Sequence, residues 1–162
     1  MANDFIFAYG SNMNYSDLRS WLERNGYDSS LIVMMTPAIL DGYDYVWNYY
    51  SSGRQGGAAN IEPKEDTSVW GVLIEIDVAL LKAFDRKETH PIFYSRGNER
   101  VPVRVQPRDE TIPAWVYIAN PNKGNRRDVL PSREYKRIVL EAVIEMNFPE
   151  DQIEMIEAWG TG

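Results

Sequence analysis

Residues 4–13 pass from a short apolar strand into a small polar loop, and this change restricts the local fold strongly. Residues 4–9 predict a buried β-strand, Gly10 allows a sharp turn, and a polar segment typical of a helix start follows at once. Ser11 and Asn12 add side-chain donors beside the free backbone N–H groups of such a turn. This combination predicts a socket for a carboxylate or a phosphate, although the same residues also fit an ordinary capped turn between a strand and a helix.

Hydrophobic periodicity divides the rest of the chain into strands and amphipathic helices in mixed order. The predicted helices span residues 16–25, 77–88, 132–146 and 149–159, and the predicted strands span residues 32–50 (one or two strands), 58–63, 69–76, 94–106 and 113–119, with a flexible loop at 51–57. Because no repeat or linker interrupts these segments, we expect one α+β domain over residues 1–162. Its mixed β-sheet is expected to form a roll or a small barrel flanked by helices.

The composition excludes several kinds of site. The chain carries 24 acidic and 17 basic residues, and a net charge of −7 argues against nucleic acid or an anionic membrane as its main partner. The absence of cysteine rules out disulfides, a thiol nucleophile and zinc–thiolate binding, and a single histidine, His90, rules out a histidine-rich metal site. Because neither a signal-peptide pattern nor an apolar run of about 20 residues is present, we expect a cytoplasmic protein.

Glu88 is the strongest candidate for a catalytic residue. Leu81, Phe84 and Glu88 follow one another at spacings of three and four, so they share one face of the predicted helix. A carboxylate at the end of an apolar helix face is partly desolvated, which suits it to accept and return protons. The alternative is a glutamate that extends to solvent or pairs with Arg86 or another arginine.

Other polar residues are weaker candidates for a site. In the glycine-rich segment 53–60 the backbone can approach a ligand closely, although a flexible hairpin connection also explains it. Tyr94, Tyr117 and Tyr135 could line a pocket with their hydroxyls, or lie in the core as many tyrosines do. His90 precedes a proline and is expected in an extended turn, and no motif supports pairing it with Ser11 in a catalytic triad.

Several of these segments occur together in one protein family. They are Phe7-Ala8-Tyr9-Gly10-Ser11-Asn12, Gly56-Gly57-Ala58-Ala59-Asn60-Ile61, Val69-Trp70-Gly71-Val72-Leu73 and Leu81-Lys82-Ala83-Phe84-Asp85-Arg86-Lys87-Glu88, followed by Tyr117 and Pro131-Ser132-Arg133-Glu134-Tyr135. In order and spacing they resemble the γ-glutamylcyclotransferase family over nearly the whole chain. The Tyr-Gly-Ser-Asn loop and the glutamate that ends the helix are the most specific parts of the resemblance.

The resemblance implies an intramolecular transfer that needs neither a metal nor a cofactor. The α-amine of a γ-glutamyl group attacks its own γ-carbonyl, which yields 5-oxoproline and a free amine or amino acid. Glu88 is implied as the general acid/base, which takes a proton from the α-ammonium and returns it to the expelled nitrogen. Few groups suffice because the nucleophile is already tethered to its target.

The resemblance also implies which residues bind this small-molecule substrate. The loop from Tyr9 to Met13 would hold the glutamyl α-carboxylate through backbone N–H groups and Ser11. The substrate-binding set is Tyr9, Gly10, Ser11, Asn12, Met13, Gly57, Tyr94, Tyr117 and Tyr135. The segment from Glu88 to Arg96 is similar to the branch that processes γ-glutamylamines, whereas Gly-Gly-Ala-Ala-Asn is similar to the amino-acid branch. The leaving group therefore stays open, as do a homodimeric state and a substrate contact by Arg54 or His90.

Two other functions fit parts of the same pattern. A binding module for γ-glutamyl or other carboxylated metabolites would keep the pocket without turnover. Hydrolysis or transfer of the same amide to another acceptor would need a nucleophile paired with a base, and no such pair is visible. The three functions differ in product, which is unchanged ligand, glutamate or 5-oxoproline.

Overall fold

The computed structural model describes residues 2–120 and 128–162, and a closed five-stranded barrel forms its centre. In chain order the elements are β1 (Asn3–Ala8), α1 (Tyr15–Arg24), β2 (Ile32–Val46), β3 (Tyr50–Ser51), β4 (Gly56–Gly57), β5 (Asn60–Asp77), α2 (Leu81–Glu88), β6 (Tyr94–Ser95), β7 (Val101–Val105), β8 (Glu110–Val116), β9 (Ile118–Ala119), α3 (Arg133–Glu145) and α4 (Glu150–Glu157). The barrel order is β1-β5-β2-β7-β8. Its strands are antiparallel except where β1 and β8 run parallel and close it, with Ile6 beside Trp115. The expected α+β fold with a small barrel is therefore confirmed.

Amphipathic helices pack against this barrel. In α1 the buried residues are Leu18 and Leu22, and in α3 they are Tyr135, Ile138, Val139, Ala142 and Val143. Asn14 caps α1 by accepting a hydrogen bond from the Asp17 N–H, and its side-chain amide donates to the Ile138 carbonyl in α3. The loop that follows β1 is therefore joined to both helices. None of the helices in the described ranges is both long and apolar enough to span a membrane.

The strands differ from the sequence prediction in extent. The two strands predicted at 58–63 and 69–76 are parts of one strand, β5, which pairs with β2 along most of its length. The polar residues between them, 64–67, lie at a register shift opposite Gly42, because Asp41 pairs with Ser68 and Tyr43 pairs with Pro63. The predicted loop at 51–57 holds a short hairpin, β3 with β4, and residues 94–106 divide into β6 and β7.

Candidate active site

A cavity of about 310 Å³ lies at the end of β1, against the last turn of α2 and the first turn of α3. The predicted site residues that line it are Tyr9, Gly10, Ser11, Asn12, Glu88, Tyr94, Tyr117 and Tyr135. Ala58, Ala59 and Arg54 of the glycine-rich segment line it as well. The structure thus gathers into one cavity residues that are far apart in sequence.

Glu88 is held at this cavity by the way in which α2 ends. Thr89 adopts a left-handed backbone conformation, and the N–H groups of Thr89 and His90 bond to the last carbonyls of the helix. The Glu88 side chain is 15% exposed, and no hydrogen bond to its carboxylate comes from the described part of the chain. The nearest cation is the Lys87 ammonium, with 4.0 Å between Nζ and Oε2. The carboxylate is therefore partly desolvated and open to a proton donor from a ligand.

The loop after β1 turns tightly beside the cavity. The N–H groups of Met13 and Asn14 donate to the carbonyls of Gly10 and Ser11, at 3.0 Å each. A Cβ atom on Gly10 would lie 2.6 Å from the Tyr135 hydroxyl, so only glycine allows the loop and α3 to approach this closely. The Asn12 Oδ1 atom is buried and has no hydrogen-bond partner in the described chain.

Arg54 extends from the turn between β3 and β4 to this loop. Its Nη2 donates to the Asp17 carboxylate at 2.9 Å and to the Ser11 hydroxyl at 3.2 Å. The guanidinium also lies 5.8 Å from the centre of the Tyr135 ring. Arg54 therefore forms part of the cavity wall, and the Asp17 carboxylate balances its charge.

Three of the cavity tyrosines form hydrogen bonds to backbone groups through their hydroxyls. The Tyr94 hydroxyl donates to the Ala59 carbonyl at 2.9 Å, and the Tyr135 hydroxyl accepts from the Ala59 N–H at 3.0 Å. The Tyr9 hydroxyl donates to the Tyr117 carbonyl at 2.6 Å. Burial raises the pKa of Tyr9, Tyr94 and Tyr135, so all three are neutral phenols at neutral pH. They shape the cavity and add no charge to it.

Asp85 holds the fourth cavity tyrosine, Tyr117, by a hydrogen bond. The Arg96 guanidinium binds both Asp85 carboxylate oxygens, at 2.8 and 3.0 Å, and the Tyr117 hydroxyl donates to Oδ1 at 2.6 Å. Burial opposes the ionisation of Asp85, but these hydrogen bonds outweigh it, and the pKa of Asp85 is lowered. Arg96 itself stacks 4.4 Å from the centre of the Trp115 ring at the barrel closure.

The substitution Asp85→Asn is expected to lower the free energy of unfolding by about 2 kcal/mol at neutral pH, because charge-assisted hydrogen bonds are lost. Asp85 has a lowered pKa in the folded protein, so its contribution is present above its unfolded pKa of about 3.9 and is lost as the pH falls below it. Urea unfolding at several pH values should therefore show that the difference in free energy of unfolding between wild type and variant becomes smaller below about pH 4. The same difference in free energy of unfolding at every pH would contradict a stabilising role for the Asp85 charge.

The cavity is not lined by two of the predicted binding residues, Met13 and Gly57, or by His90, for which a substrate contact stayed open. Met13 is 1% exposed in the core and borders a second, apolar cavity against α3, because the turn carries its side chain away from the loop. Gly57 donates its N–H to the Leu130 carbonyl and packs on that segment instead. His90 accepts a hydrogen bond from the Arg96 N–H through Nδ1, at 3.3 Å, behind Tyr117. For these residues the observed contacts are structural.

Sequence reasoning did not single out several side chains that line the cavity, among them Lys87, Tyr49 and Phe93. Only 8% of the Lys87 side chain is exposed, and burial lowers the pKa of Lys87 although nearby Glu88 opposes this effect. Its spacing of four from Ala83, on the buried side of α2, was the available signal. Tyr49 and Phe93 lie in short connections where periodicity gives no indication of side-chain direction.

The described residues hold no group of three or more histidine, aspartate or glutamate side chains arranged to bind a metal ion. Fold and site define a small-barrel protein whose end cavity presents a carboxylate beside a glycine-containing loop. Residues 6–137 match the family model described as gamma-glutamyl cyclotransferase, AIG2-like. The chain belongs to that family.

Solved structures share this fold at low sequence identity. A gamma-glutamyl cyclotransferase is 20% identical with a TM-score of 0.80, and the alignment covers 99% of this chain and 90% of that protein. An uncharacterized protein from Homo sapiens is 19% identical with a TM-score of 0.77, over 100% and 90% of the two chains. A yeast gamma-glutamyl cyclotransferase specific to glutathione is 14% identical with a TM-score of 0.64, over 98% and 94%. No curated protein sequence matches the chain significantly.

Proposed function

We propose that the protein is a γ-glutamyl cyclotransferase that releases 5-oxoproline and an amine or amino acid from a γ-glutamyl compound. The observation that carries the proposal is the Glu88 carboxylate, which receives no hydrogen bond from the described residues and shares a cavity with the Tyr9 to Asn12 loop. Family membership supports this class of chemistry. The cavity thus holds a proton acceptor and a loop able to bind an anion.

Glu88 would move one proton between two nitrogen atoms. The substrate α-ammonium gives a proton to the Glu88 carboxylate, and the free amine then attacks the γ-carbonyl carbon to form the ring C–N bond. The tetrahedral intermediate expels the original amide nitrogen, which takes the proton from the Glu88 carboxyl as its C–N bond breaks. The ring nitrogen releases its second proton to the freed amine, which leaves as an ammonium, so the lactam nitrogen of 5-oxoproline keeps one hydrogen. Glu88 returns to its starting charge, and no water or external nucleophile is consumed.

The cavity walls would hold the glutamyl chain in a folded conformation. The reacting amine and carbonyl belong to one molecule, so the main task of the protein is to bring them within bonding distance. Backbone N–H groups of the loop and the Ser11 hydroxyl would bind the α-carboxylate, and Arg54 keeps that hydroxyl in place at 3.2 Å.

A γ-aminobutyryl amide, which keeps the amine and the carbonyl but lacks the α-carboxylate, is expected to bind about tenfold more weakly than the matching γ-glutamyl amide. The reason is the loss of charge-assisted hydrogen bonds to the loop. Calorimetric titration of both compounds into the Glu88→Gln variant, which should not turn over, measures the difference. Equal affinity for the two compounds would show that the loop does not bind the α-carboxylate.

Product analysis by mass spectrometry tests the function directly. The purified protein is incubated with γ-glutamyl amino acids, γ-glutamyl amines and glutathione, which is included because a yeast protein of the same fold is specific to it. Formation of 5-oxoproline supports the proposal, and the preferred compound identifies the leaving group. Formation of glutamate would indicate hydrolysis, and saturable binding without product would indicate a binding module.

A further inference from the structure

Lys87 is a buried cation that the proposed reaction does not use. Its side chain is 8% exposed and lines the cavity, and its ammonium makes no hydrogen bond within the described residues. The Nζ atom lies 4.0 Å from Glu88 Oε2 and 5.9 Å from the centre of the Trp21 ring in α1. A buried ammonium is costly unless another charge compensates it.

The surrounding charges leave Glu88 as the compensating group. From α1, Asp17 and Arg24 face Lys87, and from the β3–β4 turn Arg54 does so. Asp17 is already bound to Arg54 at 2.9 Å, whereas Glu88 has no other ion pair within the described chain. Burial, together with the nearby Glu88 charge, raises the pKa of five phenols, so these groups are neutral at neutral pH: Tyr9, Tyr49, Tyr94, Tyr117 and Tyr135.

We propose that Lys87 is a positioning residue that acts through Glu88, by favouring its carboxylate form at rest and the departure of its proton during the reaction. A positive charge at 4.0 Å in a partly desolvated cavity stabilises the adjacent carboxylate. When Glu88 takes the substrate proton, Lys87 loses its counter-charge, and return of the proton to the leaving nitrogen restores the pair. The catalytic part of this inference rests on the proposed function, but the coupling between the two charges does not.

The first experiment compares the pH dependence of kcat/KM in wild type, Lys87→Met and Lys87→Arg. Methionine keeps an unbranched apolar side chain and removes the charge, whereas arginine keeps the charge. Lys82→Met, an exposed lysine on the same helix, is the matched control. In Lys87→Met we expect the acid limb to move to higher pH, with a loss of about tenfold near pH 5 and a smaller loss at neutral pH. In Lys87→Arg and Lys82→Met the acid limb of kcat/KM should stay at the wild-type pH.

The second experiment follows the Lys87 Cε carbon by NMR during a pH titration without substrate. The pKa of Lys87 should be lower in Glu88→Gln than in wild type or in Glu154→Gln, an exposed control, because Glu88 opposes the effect of burial on the ammonium. An unchanged midpoint in the NMR titration would overturn the proposal. A loss of kcat/KM in Lys87→Met that is equal at every pH would do the same, and either result would leave Lys87 with a packing role alone. If Lys87→Met does not fold, Lys87→Gln provides the neutral variant.

These two readouts separate the inference from the proposed function. If the wild-type protein forms no 5-oxoproline from any γ-glutamyl compound, the proposed function fails. The NMR titration still measures the coupling in that case, since it needs no turnover. A shifted midpoint together with normal 5-oxoproline formation by wild type supports both.

Discussion

Replacing Glu88 with glutamine is expected to lower 5-oxoproline formation about a thousandfold or more, with the fold retained. Glutamine has the shape of glutamate but cannot accept the ammonium proton and return it to the leaving nitrogen. Glu88 lies on the last turn of α2 with its side chain at the cavity, so no packed core contact is lost. Removing a negative charge from a helix C-terminus also relieves an unfavourable interaction with the helix dipole. Mass spectrometry of the products, with circular dichroism for the fold, measures both parts.

The matched control for this substitution is Glu154→Gln, which makes the same chemical change at an exposed position in α4. It should retain wild-type turnover. Substantial turnover in Glu88→Gln would exclude Glu88 from proton transfer. A variant that loses both turnover and thermal stability would instead indicate that the Lys87–Glu88 pair supports the fold, and thermal unfolding of the two glutamine variants distinguishes these results.

The fold could be predicted where local sequence and tertiary packing agree. The apolar residues of α3 recur with helical spacing and Ser132 caps the helix, so the predicted residues 132–146 lie close to the observed bounds. The predicted strands at 58–63 and 69–76 were separated because charged residues lie between them. In the structure both segments belong to one long strand, β5, because each of them pairs with β2, and residues 64–67 lie between them at a register shift opposite Gly42.

The site could be predicted only where a residue type and its local spacing already indicate chemistry. Glu88 continues an apolar helix face, and the Tyr9 to Asn12 loop follows a buried strand, so both were recognisable. Lys87 was only partly recognisable, because its spacing from Ala83 indicates the buried side of α2, but periodicity within one segment does not show that Trp21 of α1 lies near its ammonium. Gly57 shows the opposite case, since a glycine required by a chain contact looks the same in sequence as one that admits a ligand.

Gly57→Ala is expected to lower the free energy of unfolding by about 3 kcal/mol or more, because the added methyl group has no room. Its Cβ would lie 1.7 Å from the Val129 carbonyl oxygen, which belongs to the backbone and cannot rotate away. Relief of this clash requires the 129–130 segment to move, which breaks the 2.8 Å hydrogen bond from the Gly57 N–H to the Leu130 carbonyl. Urea unfolding measures the loss.

Gly53→Ala is the matched control, because the nearest atom to its added Cβ, the Ser51 hydroxyl oxygen, is 4.0 Å away in the same turn. Its stability should stay within about 0.5 kcal/mol of wild type. If Gly57 has a structural role alone, the folded fraction of Gly57→Ala keeps the wild-type KM for a γ-glutamyl substrate while its stability falls. A raised KM at unchanged stability would reverse this assignment and return Gly57 to the substrate-binding residues.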